Sequence, residues 1–450
     1  MVNIDSLLLP QWIIPIEPHN EFYIKHAVAV DKGRILDVLP EEEAKRKYQP
    51  VTTVYLEEHV VMPGLVNAHT HSPLVLLRGL ADDLPFMVWL KDRIWPAEKR
   101  WLDEAFCRDG MELALAEMLS GGTTCFQEHY FFPDILAEVT TKAQGRACLG
   151  MFMLNSKTNW AGRLEEYVDK GLQFYKQYKN EPLIKINLAP HAPYSLKDRE
   201  LIKIKEITKE LGISIHMHVH ESSAEIIESM QVFRKRPLLR LHDLGMFEVP
   251  FQCVHMVQLN DKDIELMQAN PKIGVIHCPE SNLKLANGIC PVQKLLKQDI
   301  SVSIGTDSAV SNNDLDMFSE MRTAAMLAKG STNDPTAVPA AMALRMATLN
   351  GARAIGLEQE IGSIEIGKSA DLIAVDLSAF NTQPVYNPIS QIVYAASARQ
   401  VTDVWIAGRR IMEKGELKTL DKEKILVKAK KWQEKIQSRE GNISKSSGII

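Results

Sequence analysis

Between residues 64 and 308 the chain keeps repeating one unit, a short β-rich run followed by a longer amphipathic one. The β-rich runs read GLVNAHTH, TTCFQEHY, ACLGMFML, IKINLAPH, SIHMHVHE, FQCVHM, KIGVIHCP and SVSIGTDS. Between them lie segments with helical apolar spacing, such as DEAFCRDGMELALAEMLSGG, GRLEEYVDKGLQFYKQYK and DRELIKIKEITKELG. Parallel strands need crossovers of about this length, so strand–helix–strand at this cadence predicts a parallel sheet. Eight such units in about 250–300 residues fit a closed (β/α)8 barrel. A doubly wound open sheet is the alternative that the pattern alone leaves.

The polar residues weigh towards the barrel. His69, His71, His129, His191, His218, His255, His277 and Asp307 all fall at the C-terminal ends of the predicted strands. That end is where a barrel gathers its catalytic groups, because the βα loops meet there. The flanks read differently. Residues 1–58 and 366–420 hold short β runs around turns such as DKGR, KSADLIAVDL and VTDVWIAGRR, and predict a composite β-sandwich. Residues 59–365 would then be the barrel, inserted between the two halves. Residues 421–450 predict a Lys-rich helix with a solvated face and a polar tail.

Bulk properties exclude several classes. The chain has 450 residues and a net charge of −5, with no basic stripe for nucleic acid and no polybasic helix for an anionic membrane. No run approaches the ~20 apolar residues that span a bilayer. The N-terminal stretch MVNIDSLLLPQWIIPIEP lacks a basic start and reads as strand, not as a signal peptide. Six cysteines are scattered without a CxxC pair, which argues against a disulfide framework or a zinc ribbon. A reducing cytoplasm is the expected location.

The chemistry begins at HTH. Alternate strand residues share a face, so His69 and His71 point the same way, roughly 6–7 Å apart along the strand. Two imidazoles at a barrel mouth need partners, because unpaired buried polar groups are costly. One divalent metal partners both, and neutral imidazole is its commonest ligand. SIHMHVHES supplies three more histidines of one parity, His216, His218 and His220, and period alone does not say which binds. Asp307, just after an apolar strand, can bind a metal and also accept a proton. Three histidines and one aspartate leave room for a water, as a catalytic site requires.

These features, with PGLVNAHTHSPLVLLRG, HAPYS, HCPESNLKLANG, GTDSAVSNNDLDMF and GSIEIGKSADLIAVD, resemble the amidohydrolase superfamily. Within it they resemble the chlorohydrolase-like ring deaminases, and among those the 5-methylthioadenosine/S-adenosylhomocysteine deaminases. The resemblance implies a barrel with a small β-sandwich, and one zinc held by His69, His71, His218 and Asp307. It implies catalytic roles for Glu221, which would hydrogen-bond the ring nitrogen and move protons, for His255, which would polarise the attacked carbon, and for Asp307. It implies substrate contacts from Glu98 to a ribose, Trp89 near the adenine, and His191 and Ser311, with Arg163 at the far end of the substrate. Binuclear members carry a carboxylated lysine at the end of the fourth strand. Here that end reads NLAPHAPYS and Lys185 sits near the strand's start, so one metal is expected. Relatives commonly pair, which makes a homodimer an expectation by analogy.

The implied function is hydrolytic deamination of an adenine-containing thioether nucleoside. The alternative substrates are guanine, cytosine, a triazine or another N-heterocycle. A non-catalytic scaffold barrel is disfavoured because all four ligand positions are filled. Two departures from the family pattern, His220 and Gln258, bear on substrate choice. Cys278 and Cys290 read as buried thiols, His129 as core or rim packing, His277 as structural, and Trp95 and Trp101 as loop packing.

Overall fold

The computed structural model describes residues 1–444. Eight parallel strands run in chain order around a barrel: β1 (Leu65–Thr70), β2 (Thr123–Glu128), β3 (Arg146–Met153), β4 (Ile184–Pro190), β5 (Ile215–Val219), β6 (Phe251–His255), β7 (Ile273–His277) and β8 (Val302–Ile304). Each falls on one of the eight predicted runs. Their residues are almost all buried, as expected of strands covered by helices outside and packed side chains inside.

The seam between β8 and β1 is closed by backbone just past the short last strand. Thr70 and Asp307 form a parallel bridge, and the Asp307 amide donates to the His69 carbonyl at 3.0 Å. Gly305 makes this approach feasible, since a Cβ there would lie 2.6 Å from the His69 amide nitrogen. The other end of the barrel is plugged by the helix Leu349–Ala354, whose Ala352 packs with Val66, Cys125 and Cys148.

The two flanking segments join in one mixed nine-stranded sheet. Strand Val2–Ile13 lies parallel to Tyr48–Pro63, which pairs antiparallel with Leu372–Asp376 from the far end of the chain. One face carries a core of Leu8, Ile13, Val30, Ile35, Leu372 and Trp405. The other packs Leu7, Leu9, Ala29 and Tyr48 against Ala44 of the helix Glu41–Lys47. A buried ion pair ties this sheet to the barrel: Arg146, at the start of β3, donates to Asp371 at 2.6 and 3.0 Å. Removing one partner of such a pair costs about 3–5 kcal/mol.

The Lys-rich segment forms the helix Lys422–Ser444. It is not solvated all round: Trp432 packs edge-on against Phe106 and donates to Asp109 at 2.9 Å. That contact backs the helix Glu104–Ser120, which follows the short helix Trp95–Trp101 carrying Glu98. The last part of the expected tail, residues 445–450, lies outside the described residues. Among the described residues, no helix is long and apolar enough to cross a membrane.

Candidate active site

At the C-terminal mouth of the barrel, strands β1, β5 and the turn after β8 bring four donor atoms together. His69 Nε2 and His71 Nε2 each lie 3.3 Å from Asp307 Oδ1, and His218 Nε2 lies 3.2 Å from His69 Nε2. Nitrogen and oxygen ligands about 2.0 Å from one tetrahedral zinc sit about 3.3 Å from each other. The spacing therefore fits a single divalent ion shared by all four residues. Burial pushes His69 down to about 3 and His218 well below the ordinary histidine value, which holds these two in the ligating form. At His71 burial also lowers, but Asp307, Glu128 and the His129 carbonyl outweigh it and raise the ring.

Each imidazole is oriented from behind. His71 Nδ1 donates to the His129 carbonyl and His218 Nδ1 to the His191 carbonyl, both at 2.7 Å. His69 Nδ1 lies 2.7 Å from Nε2 of His216. A bond of this kind from the non-ligating nitrogen fixes ring orientation and tautomer. Asp307 is braced too, its Oδ2 accepting from Ser281 at 2.6 Å and from Ser311 at 2.8 Å. Burial acts to raise the Asp307 carboxyl, but His69 and His71 beside it win and hold it well below the usual carboxylate range. Its backbone is left-handed, with φ +62°, an uncommon conformation for a non-glycine residue. The seam bridge at Thr70 holds it there.

Above the donors opens a cavity of about 780 Å³, lined by His71, His218 and Asp307 at one end and by short helices and a loop at the other. Glu221 and His255 share its wall, with Glu221 Oε1 3.8 Å from His255 Nε2. Burial raises the Glu221 carboxyl above its ordinary value. Glu221 is set by a tight strap in which Glu225 accepts from the amides of His220 at 3.1 Å and Glu221 at 2.8 Å. His255 Nδ1 donates to Asn282 Oδ1 at 3.0 Å, leaving Nε2 towards the cavity. Glu98 lines the same space and accepts from the Tyr130 hydroxyl at 2.7 Å. Trp89 and His191 are on the wall as well.

Two residues expected at the substrate stand elsewhere. Arg163 is 70% exposed beside Glu165 and Glu166 and is absent from the cavity wall, because it caps the helix Leu164–Tyr178 with its side chain outward. Ser311 is fully buried, and its hydroxyl is engaged by Asp307. The far wall is instead supplied by Lys99, Asn155, Lys157 and Asn159. His129, read from sequence as packing, borders the cavity and offers its carbonyl to His71.

The remaining histidines divide clearly. His220 is buried, donating from Nδ1 to the Gln258 carbonyl at 3.1 Å and accepting at Nε2 from the Leu238 amide at 3.1 Å. Both departures from the family pattern thus meet in one structural knot behind Glu221. His277 is buried beneath the site and pushed down to about 3. Sequence reasoning missed Tyr130, Ser281 and Asn282 as orienting groups. The last two lie in HCPESN, where serine and asparagine after a strand end were the available signal.

The fold and site define a metal-dependent hydrolase barrel, and residues 60–411 match the Amidohydrolase family, to which the chain belongs. More particularly, it is 44% identical to a 5-methylthioadenosine/S-adenosylhomocysteine deaminase of Teredinibacter turnerae, over 97% of this chain and 99% of the relative. It is 42% identical to the protein of the same name from Saccharophagus degradans, over 97% of each. Among solved structures, a zinc-bound adenosine deaminase from Xanthomonas campestris superposes with a TM-score of 0.95 at 46% identity, covering 97% of this chain and 99% of that one.

Proposed function

We propose that this chain is a zinc-dependent hydrolytic deaminase of adenine nucleosides, acting on 5′-methylthioadenosine, S-adenosylhomocysteine or both, and on adenosine as a smaller substrate. The observation that carries the reading is the set of four donors linked by three separations of 3.2–3.3 Å, opening onto a cavity whose wall holds Glu221, His255 and Glu98. The names borne by relatives at 42–44% identity over 97% of the chain agree with it.

His69, His71, His218 and Asp307 would hold the ion. Bound there, zinc supplies Lewis acidity and makes water a nucleophile near neutral pH. Asp307, held as a carboxylate, would take one proton from the attacking water as the water oxygen bonds to C6 of the adenine. Glu221, whose carboxyl burial raises above its ordinary value, gives a proton to N1, so the ring nitrogen accepts the electron pair displaced from the C6–N1 double bond. His255 faces the same carbon and stabilises the oxygen that has added. As the C6–amine bond breaks, the proton on Asp307 passes to the departing nitrogen, ammonia leaves, and Glu221 recovers a proton from the new hydroxyl. The product is the hypoxanthine nucleoside. General acid–base help of this kind contributes about 10²–10⁴-fold. Glu98, oriented by Tyr130, is the acceptor for ribose hydroxyls, and Trp89 supplies an aromatic face for the base.

All six cysteines are free and buried, in keeping with a reducing, cytoplasmic setting. The test is a panel of purines, thioether nucleosides, cytosine and triazines, followed by the shift from adenine to hypoxanthine absorbance and by ammonia release. Turnover of the thioether nucleosides is expected. Turnover of guanine or a triazine with none of an adenine nucleoside would overturn the assignment.

A further inference from the structure

Two of the three ligand histidines are braced by backbone carbonyls, at 2.7 Å each. The third, His69, is braced by a side chain: its Nδ1 lies 2.7 Å from Nε2 of His216, with the two rings stacked at 4.9 Å and 26° and both fully buried. His216 belongs to β5, two residues before His218, and so sits one layer deeper in the barrel. We propose that His216 is a positioning residue for the metal site, acting through His69 as the acceptor that locks its tautomer. The proposal rests on the four-donor site described above.

The protons follow from the geometry. A ligating His69 must present a lone pair at Nε2, so its proton sits on Nδ1. The 2.7 Å contact then requires a lone pair at His216 Nε2, which puts the His216 proton on its own Nδ1, a buried nitrogen without a hydrogen-bond partner, so the assignment rests on His69 being a ligand. The opposite arrangement, with His216 Nε2 donating, would leave the His69 proton on Nε2, facing Asp307 and blocking the ion.

A rival reading treats His69, His129 and His216 as a second metal triad, since one nitrogen from each lies within 4.8 Å of the others. The short contact rules against it. Two nitrogens on one zinc stand about 3.3 Å apart, not 2.7 Å, so this pair shares a proton and not an ion.

A backbone carbonyl cannot be removed by substitution, whereas His216 can, which makes this the one of the three histidine braces open to a direct test. Zinc affinity of the full chain would be measured by competition with a chromophoric chelator, in wild type, His216→Leu and His216→Gln. Leucine fills the space without an acceptor, and glutamine returns an oxygen near the place of Nε2. His216→Leu is expected to weaken zinc binding about 10–100-fold, the usual effect of losing such a partner, and His216→Gln to recover most of it. Equal affinities in wild type and His216→Leu would overturn the proposal, as would equal losses in both variants. A wild-type chain without zinc affinity would instead remove the four-donor site itself.

Should His216→Leu fail to fold, nitrogen NMR of the zinc-loaded wild-type chain, labelled at histidine, decides the same question. The expected result is an unprotonated Nε2 on His216 and a protonated Nδ1 on His69, assigned by the signals lost in His216→Gln. A protonated Nε2 on His216 would overturn the proposal.

Discussion

At the metal end of the cavity every functional side chain comes from a strand end or the turn just past it, and each is held by a second group. Asp307 has Ser281 and Ser311, His255 has Asn282, and the three rings proposed as ligands have two carbonyls and His216. At the far wall the lining residues come from the short helices of residues 86–101 and from the loop of residues 154–159, and Lys99, Lys157 and Asn159 are exposed. Where polar atoms there are engaged, as with Asn159 donating to the carbonyls of Lys99 and Leu102 at 3.0 and 2.8 Å, they tie a loop to the end of a short helix. The difference teaches where each property of the protein resides. Chemistry needs donors fixed to a few tenths of an ångström, which a closed sheet supplies; discrimination among substrates needs surfaces that can change without disturbing it.

The largest effect should come from the metal end. Asp307→Asn removes the proposed base and a charged donor together, and steady-state assays with zinc analysis should show a fall in kcat of about 10²–10⁴-fold. Near-normal turnover would mean that the braced end is not where the proton moves. Glu221→Gln should lower kcat by about 10²-fold or more and change the pH profile. Burial raises this carboxyl, so its acid form persists above the ordinary glutamate range, and wild-type activity should decline as pH rises through the shifted value. That limb should be missing in the variant; if it persists, another group is the acid.

The strap beneath Glu221 gives a stability test. Burial raises Glu225 from 4.5 to about 8, against the opposing pull of the backbone amides it accepts. Between those values the folded chain holds a proton that the unfolded chain has lost. The stability it confers is therefore full below about 4.5 and is lost as pH rises towards 8, by about 4–5 kcal/mol at the upper bound. In thermal melts across this range, Glu225→Gln should show a flatter dependence of Tm on pH than wild type; parallel curves would exclude the linkage.

The border between the two regions should respond more mildly. Tyr130→Phe leaves Glu98 without its hydroxyl donor, and a loss of about 1 kcal/mol predicts a rise in KM of about 5-fold with kcat little changed. A matching fall in kcat would place Glu98 among the reacting groups. The smallest effect belongs to Arg163→Ala. Because Arg163 is outside the cavity wall, KM for S-adenosylhomocysteine and for methylthioadenosine should both stay at the wild-type value, and a selective loss for the former would return this residue to the substrate.

Much of the fold was legible because hydrophobic period and turn spacing act locally. Eight strands were readable from their runs, and each polar residue at a strand's end could be ranked by parity alone. The same logic paired His69 with His71 and marked Asp307 as a donor. It failed at His216, His218 and His220, which share one parity, and at Arg163 and Ser311, whose neighbours in sequence say nothing of what faces them.

What the sequence determined by itself is the alternation of strands and helices, the end of the barrel where function gathers, and the residue types able to hold a divalent ion. Family membership follows from the same ordered motifs. Parity left the three like-facing histidines undivided and only the resemblance singled out His218; the tertiary structure sets His218 beside His69 in the donor cluster, His216 behind the His69 ring, and His220 in the knot with Gln258. The reason is physical: spacing along a strand fixes a face, but depth and distance across a barrel are set when the seam closes at Thr70, Gly305 and Asp307, and that closure joins residues more than two hundred positions apart.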